Sequence, residues 1–387
     1  MKNTGMQEDN LLSLSYGRIV RKDIEANEGL LPESFETYQI VEPGNVVMRL
    51  TDLQNDKRSI RQGLVTERGI ITSAYDALEI AKGHDPRFWA YTLLALDLAK
   101  YYYSLGAGVR QSIKFADFPN DWIRTPSLET QKSIGDFLDR EIAHIDQLIQ
   151  KKRLFVTGVA RRIEALVDQA ISDANVPRIR FEHLTHRVSR RVTLSEHDEL
   201  VRLGLYNRGR GIFKKPAADE EGMGDSEFFF VETGDLILSG QFAWEGAVAL
   251  ATADEEGCVV SHRYPVYRGR SGVNTSYLLG LLRSRYGDFL LNEASRGSAG
   301  RNRPLNVRRL GKEKIPVPGP ELQKSVEQAV DFERRLKGKT EQSIVRLEEF
   351  RAALVTAAVT GQIDVAAWGK EGQTDRRLDQ IAEAIRA

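Results

Sequence analysis

The apolar positions of this chain change period twice, and then do so again in the same order. Tyr38 to Val41, Val46 to Leu50, Gly63 to Val65 and Gly69 to Thr72 are short apolar runs separated by turn residues, and they predict strands. Spacing then becomes helical: Asp85 can cap a helix with Pro86 at its first position, and Trp89, Leu93, Leu94, Leu96 and Ala99 supply its apolar face. In the long segment that follows, Leu138, Ile142, Ile145, Ile149, Val156, Ile163 and Ala170 advance by threes, fours and sevens, the spacing of a coiled-coil seam. The second succession has strands at Phe228 to Val231, Leu236 to Ser239, Ala247 to Ala251 and Cys258 to Ser261. Asn274 or Thr275 then opens a helix carrying Tyr277, Leu278, Leu281, Leu282 and Phe289, and Val326, Val330, Ile344, Leu347, Leu354 and Ala358 form a second seam. Ser127 can cap the first long helix, and Pro320 suits the opening turn of the second. Gly158 and Gly338 allow two helical hairpins instead, although one interior Gly costs only ~1 kcal/mol against Ala and forces no break.

The recurrence extends to residue identity. Pro126, Gln131, Lys132, Ser133 and Ile134 return as Pro318, Gln323, Lys324, Ser325 and Val326. Ala165, Leu166, Val167, Ala170 and Ile171 return as Ala353, Leu354, Val355, Ala358 and Val359. Upstream, Val41-Glu42-Pro43-Gly44-Asn45-Val46-Val47 answers to Val231-Glu232-Thr233-Gly234-Asp235-Leu236-Ile237, and Ala107-Gly108-Val109-Arg110 to Ala299-Gly300-Arg301-Asn302. A period of about 190 residues is far beyond the ~20–50 of a solenoid unit, so the duplicated element is a domain with its helix. Gln131 to Ala165 is four residues longer than Gln323 to Ala353, a stutter to which one helix must adjust if the two pair. An unbroken helix from 127 to 172 would be about 70 Å long. The expected fold is α+β: two tandem globules, each followed by a long helix, the two helices pairing as an antiparallel coiled coil with pseudo-twofold symmetry. The expected divisions are a first globule over 1–125, a central helical repeat over 126–175, a second globule over 176–316, a C-terminal helical repeat over 317–364 and a tail over 365–387. In the tail Leu378, Ile381, Ala382 and Ile385 make one apolar face of a short amphipathic helix.

Of the 387 residues 41% are hydrophobic and 28% charged, enough to build real cores. Lys plus Arg number 55 and Asp plus Glu 55, so no global field draws the chain to a polyanion. Local charge is another matter. Arg178, Arg180, Arg187, Arg190 and Arg191 face Glu182 alone; Arg202, Arg208, Arg210, Lys214 and Lys215 face no acid; Arg296, Arg301, Arg303, Arg308, Arg309, Lys312 and Lys314 face Glu313 alone. One such run is usually a solvated loop, but three within one repeat unit bring polyanion binding level with that reading. The lone cysteine, Cys258, excludes an intrachain disulfide and a Cys-rich zinc site, and its apolar neighbours suit a small core residue. With no signal-type apolar core at the N-terminus and no stretch near the ~18 apolar residues of a membrane span, a soluble cytoplasmic protein is expected.

Catalytic signatures are missing: the sequence has no G-x-x-x-x-G-K-[ST], G-x-G-x-x-G, H-E-x-x-H or G-x-S-x-G, and no Asn-Pro-Pro or Asp-Pro-Pro tetrapeptide of the amino-methyltransferase kind. His183 and His186 have helix-compatible spacing, but no further ligand completes a metal shell, so phosphate or water suits them better. Asp52, Asp56, Glu245 and Asp254 have no spacing that demands a hydrolytic site. The chain reads as a recognition protein, not an enzyme.

The order of strand-rich globule, proline-entered Gln-containing helix, second globule and second such helix resembles the DNA-specificity subunit of type I restriction-modification systems. The matching pieces are Pro126 through Ile134 with Ile145-Asp146-Gln147-Leu148-Ile149 and Lys151-Lys152, then Pro316-Val317-Pro318 through Val326 with Leu347 through Leu354 and Val359-Thr360-Gly361-Gln362-Ile363-Asp364. Within the globules, Gly44-Asn45-Val46-Val47, Gly234-Asp235-Leu236-Ile237, Ser261-His262-Arg263-Tyr264 and the two Ala-Gly loops fit the family's target-recognition domains. The resemblance spans roughly residues 35–364, with Gly29 to Glu36 poorly matched. It implies that each globule reads one half of a bipartite asymmetric site on double-stranded DNA while the helices set the spacer. It also implies two methyltransferase (modification) subunits carrying S-adenosylmethionine, with no cofactor in this chain, and a restriction/translocase subunit. The helical pair, flanked by Arg161, Arg162, Arg346 and Arg351, is the expected docking surface.

Side chains able to make bidentate base contacts in that setting are Arg110, Gln111 and Lys114 in the first copy and Arg301, Asn302 and Arg303 in the second. Tyr206, Asn207, Arg208, Arg210 and Lys214 mix an aromatic with donors, and Gln241, Phe242 and Trp244 follow the Gly-Asp strand. Arg49, Gln54, Lys57, Arg58 and Arg61 are the first copy's equivalents by position. The competing expectation is a non-catalytic coiled-coil adaptor whose globules bind proteins, indifferent to duplex DNA and to salt.

Overall fold

The computed structural model describes residues 1–22, 34–53, 60–105, 112–117, 122–270, 272–297 and 303–368. In chain order the elements begin with strands β1 (Leu12–Ser15), β2 (Arg18–Arg21), β3 (Gln39–Val41), β4 (Val46–Met48), β5 (Gln62–Leu64), β6 (Gly69–Ile71) and β7 (Asp76–Leu78). Helices α1 (Pro86–Leu98), α2 (Tyr101–Leu105) and α3 (Leu128–Ser172) follow. Next come β8 (Arg178–Arg180), α4 (Phe181–Leu184), β9 (Thr185–Val188), β10 (Leu200–Tyr206), β11 (Gly211–Ala218) and α5 (Glu220–Met223). The second copy continues with β12 (Phe228–Phe230), β13 (Leu236–Leu238), β14 (Val248–Leu250), β15 (Val259–Ser261) and β16 (Val266–Gly269). It closes with α6 (Thr275–Arg283), α7 (Arg285–Ala294), α8 (Val307–Lys312), β17 (Lys314–Pro316), α9 (Pro320–Val359) and α10 (Val365–Trp368). Gly158 and Gly338 lie inside α3 and α9, so neither ends its helix. The chain divides into two compact units, one of residues 1–152 with 341–387 and one of residues 153–340.

In the first unit β5, β4 and β7 form an antiparallel sheet, β3 pairs β6, and β1 and β2 make a hairpin turning through Tyr16 and Gly17, both at positive φ. Each residue of β4 is buried, and Val46, Met48 and Leu50 pack with Leu93 of α1 and Tyr102 of α2. Ile134, Phe137, Leu138, Ile145 and Ile149 of α3 and Leu347, Leu354, Val355 and Ala358 of α9 share one core with Phe88 and Ala95 of α1. In the second unit the sheets run β11-β10-β15-β12 and β14-β13-β16-β9, with β17 paired to β8. Its core joins Leu236, Leu238 and Tyr277 to Ile163, Val167 and Ala170 of α3 and Val326 and Val330 of α9. Cys258 is buried among Leu203, Val231 and Val260, and burial pushes its thiol up, as an inert core residue requires. Phe289 departs from expectation: Ser284 ends α6 and caps α7, which leaves Phe289 on the exposed face of α7.

The repeat holds at the level of single hydrogen bonds. Gly44 (φ 93°) and Gly234 (φ 89°) take a left-handed turn that a Cβ would strain. The Glu42 N–H donates to Asn45 Oδ1 and the Glu232 N–H to Asp235 Oδ2, each at 2.9 Å, which aims β4 and β13 into their sheets. Further on, buried Gln131 accepts the N–H of Asp85, the N-cap of α1, at 3.0 Å and donates to the Pro126 carbonyl at 2.9 Å. Gln323 accepts the N–H of Asn274, the N-cap of α6, at 2.8 Å and donates to the Pro318 carbonyl at 2.9 Å. Each glutamine thus staples the first turns of a long helix to the cap of its globule's helix. Replacing either by Ala strands two buried polar groups and is expected to cost about 1–3 kcal/mol, read by urea denaturation. A loss below a few tenths of a kcal/mol would show that water replaces the amide.

Candidate nucleic-acid interface

Three segments of the second unit converge. The β10–β11 hairpin turns through Asn207-Arg208-Gly209-Arg210, with Arg208 and Gly209 at positive φ. Between β13 and β14 the chain makes a short 3-10 turn over Ala243–Glu245, pinned by buried Ala243 and by the Ser239 hydroxyl, which accepts the Gln241 and Phe242 N–H groups. These loops are joined edge to edge: the Arg208 N–H donates to the Glu245 carbonyl and the Gly209 N–H to the Gly246 carbonyl, both at 2.7 Å. Asn207 adds a side-chain hydrogen bond to the Glu245 carboxylate. The third segment enters through Leu305, whose N–H donates to the Gly240 carbonyl at 2.8 Å, and it lays the Arg303 guanidinium over the Trp244 ring at 5.3 Å.

Tyr206, Asn207, Arg208, Arg210, Gln241, Phe242, Trp244 and Arg303 therefore come from three stretches of sequence to one place. The aromatic members are braced. Tyr206 lies against Phe213 at 4.8 Å with the Arg210 guanidinium 5.2 Å from its ring, and the Trp244 indole N–H donates to the Gln241 carbonyl. Tyr206 is 44% and Phe242 43% exposed, and Arg208, Arg210 and Gln241 are exposed beside them. Guanidinium and amide donors among presented rings can neutralise phosphate, read base edges and stack on bases. Lys214 is exposed too, but it stands on β11 opposite Leu203 and away from the turn.

The first unit divides its expected residues differently. Arg61 is fully buried: its backbone N–H donates to Asp97 Oδ2 at 2.8 Å and its guanidinium to the Thr51 carbonyl at 2.8 Å and the Tyr103 hydroxyl at 3.4 Å. This corrects its assignment as a DNA contact; Arg61 ties the chain after β4 to α1 and α2. Arg49 is half-buried, its N–H donating to the Arg61 carbonyl, and the Lys114 ammonium lies 3.8 Å from Asp76. Gln54, Lys57, Arg58, Arg110, Gln111, Arg301 and Asn302 lie outside the described residues.

Part of the basic sequence is structural. Arg190 and Arg268 clasp the fully buried Asp235 at 2.7 and 2.6 Å, Arg178 reaches the Tyr286 ring and the Ile171 carbonyl, and Arg296 and Arg309 pair with Glu293. His183 sits on α4 and His186 on β9, so their spacing is not that of one helical face, and no cluster of metal-ligating side chains occurs among the described residues. No helix among the described residues is long and apolar enough to cross a membrane.

No family model and no curated protein matches this sequence. Solved structures do match it. One, from work on complex assembly and conformational transition of the type I restriction-modification system, has TM-score 0.50 at 15% identity and covers 84% of each chain. The HsdS subunit from Thermoanaerobacter tengcongensis has TM-score 0.44 at 15% identity over 84% of this chain and 82% of that one. The type I restriction-modification S subunit from M. genitalium has TM-score 0.46 at 13% identity over 90% of this chain and 93% of that one. The likeness at TM-score 0.50 shows that the chain shares its fold with the matched chain of that type I restriction-modification structure. The chain's structural neighbours include S subunits of type I restriction-modification systems.

Proposed function

We propose that this chain is the DNA-specificity subunit of a type I restriction-modification complex. The observation that carries the reading is the convergence of the β10–β11 turn, the 241–246 turn and Arg303 into one cluster of exposed donors and braced rings. Each globule reads one half of a bipartite asymmetric site, the second through this cluster and the first through Arg49, Lys114 and residues of the 54–58 and 110–111 stretches. Helices α3 and α9 pair as an antiparallel coiled coil that fixes the spacer and docks two methyltransferase subunits, which bring S-adenosylmethionine; a restriction/translocase subunit completes the complex. The chain itself contributes recognition and no catalytic group.

Support for docking on the helices comes from a groove of about 520 Å³ in the second unit, flanked by Leu154, Phe155 and Phe332, which are 67%, 56% and 44% exposed. An adaptor would need the same groove, so DNA binding separates the two readings. Affinity of the chain for duplex should fall steeply as salt rises, because neutralised phosphates release counterions. Arg210→Ala and Arg303→Ala should each weaken binding to the preferred site by about 1–3 kcal/mol where a bidentate base contact is lost. Binding that is absent, or flat between low and physiological salt in a gel-shift titration, would leave the adaptor.

A further inference from the structure

We propose that Arg283 and Glu333 are positioning residues, a buried ion pair through which helix α9 holds the β10–β11 turn in its reading geometry. The inference rests on the function proposed above and concerns residues that make no direct contact with DNA.

Arg283 is the last residue of α6, and its guanidinium meets the Glu333 carboxylate fork to fork, Nη1 to Oε2 at 2.7 Å and Nη2 to Oε1 at 3.0 Å. Glu333 is 2% exposed, and Lys337, one turn along α9, approaches the same carboxylate at 3.0 Å. Burial alone would raise the Glu333 pKa, but Arg283 and Lys337 outweigh it and hold the carboxyl below its ordinary range, so the pair is charged at neutral pH. The stem of Arg283 then does something else. Gly209, at the tip of the turn, lies directly on it: a Cβ there would stand 2.7 Å from Arg283 Nε and 3.0 Å from Cγ and Cδ, at a φ of 59°. The turn is thus held along one edge by the Glu245 and Gly246 carbonyls and supported by an arginine whose fork is fixed from α9. A buried ion pair is a weak source of net stability compared with apolar packing, but it fixes orientation, and a bidentate fork fixes a plane. Tilting that plane moves Gly209 and, with it, the neighbouring Arg208 and Arg210 donors, for which small displacements decide which base edge is met.

The test selects bound duplexes with the full chain from a library in which one half-site is fixed and the other is random, then repeats the selection with the halves exchanged. Arg283→Met with Glu333→Leu in one chain keeps the apolar volume and removes the fork; Glu333→Gln is the milder companion. The expected result is a loss of about tenfold in the preference for the best second half-site over its single-base variants, equivalent to ~1.4 kcal/mol. First half-site preferences and binding to random duplex should stay unchanged. Unchanged second half-site preferences in the double variant, with a thermal midpoint near the parent's, overturn the inference while leaving the specificity reading intact. A parent chain that selects no sequence in either half overturns the specificity reading, and the inference falls with it.

Discussion

Asp235→Asn is expected to destabilise the second unit by about 3–5 kcal/mol, the cost of leaving buried charge without its counter-charge. Asp235 is wholly buried and accepts from Arg190 at 2.7 Å, from Arg268 Nε at 2.6 Å and from the Glu232 N–H at 2.9 Å. Asparagine can keep the bond to the Glu232 N–H, as Asn45 does at the matching turn of the first unit. It then turns an NH₂ donor toward the Arg268 guanidinium, which loses its acceptor at Oδ1, and both partly buried arginines lose the carboxylate charge they enclose. Amide hydrogen exchange in β13 and β16 reads the effect locally, which matters in a chain of two units whose global unfolding need not be two-state. Glu232→Ala serves as the comparison, because the half-exposed Glu232 carboxylate touches the same arginines and should be worth only ~0–1 kcal/mol. Equal effects from the two variants would mean that Asp235 acts through its turn and not through its charge.

How far such sites can be read ahead of the structure depends on the range of the interaction. The strands around Gly44 and Gly234 were legible because turn chemistry is local: a left-handed glycine followed by Asn or Asp states its own hydrogen bond. The caps Asp85 and Asn274 were legible for the same reason. Gln131 and Gln323 stood out as a repeat, but their role depends on cap amides 46 and 49 residues away, which no spacing rule supplies. The β1–β2 hairpin lies outside the strands expected from sequence because Leu-Ser-Leu-Ser-Tyr-Gly-Arg-Ile-Val is short and half polar; alternation around Tyr-Gly is its one local signal. Arg61 was misplaced for a physical reason. An arginine beside Lys57 and Arg58 has the composition of a basic surface, and only the approach of Asp97 and the Thr51 carbonyl reveals that it is buried. In the second unit composition points to the aromatics and donors that the fold gathers around the 207–210 turn, yet gives no hint of Arg283, which lies against Gly209, or of Glu333, which pairs with Arg283.

The second large effect concerns distance. Inserting four helix-forming residues at Gly158 should change the preferred spacer of the bipartite site by one or two base pairs and leave the letters of both half-sites unaltered. Four residues add about 6 Å of helix and about 40° beyond one full turn, so the apolar seam keeps roughly its facing while the added length is close to two base-pair steps. The site tolerates it locally: α3 is continuous through Gly158, and a Cβ built there meets nothing within 4 Å. The two repeats already differ by four residues between their glutamines and their Ala-Leu-Val segments, the insertion length that a coiled coil absorbs as a stutter. Methylome sequencing of cells expressing the parent or the insertion variant, alongside the partner subunits, reads letters and spacer together. A spacer that stays fixed while the letters change would refute the assignment of distance to the helices and of sequence to the globules.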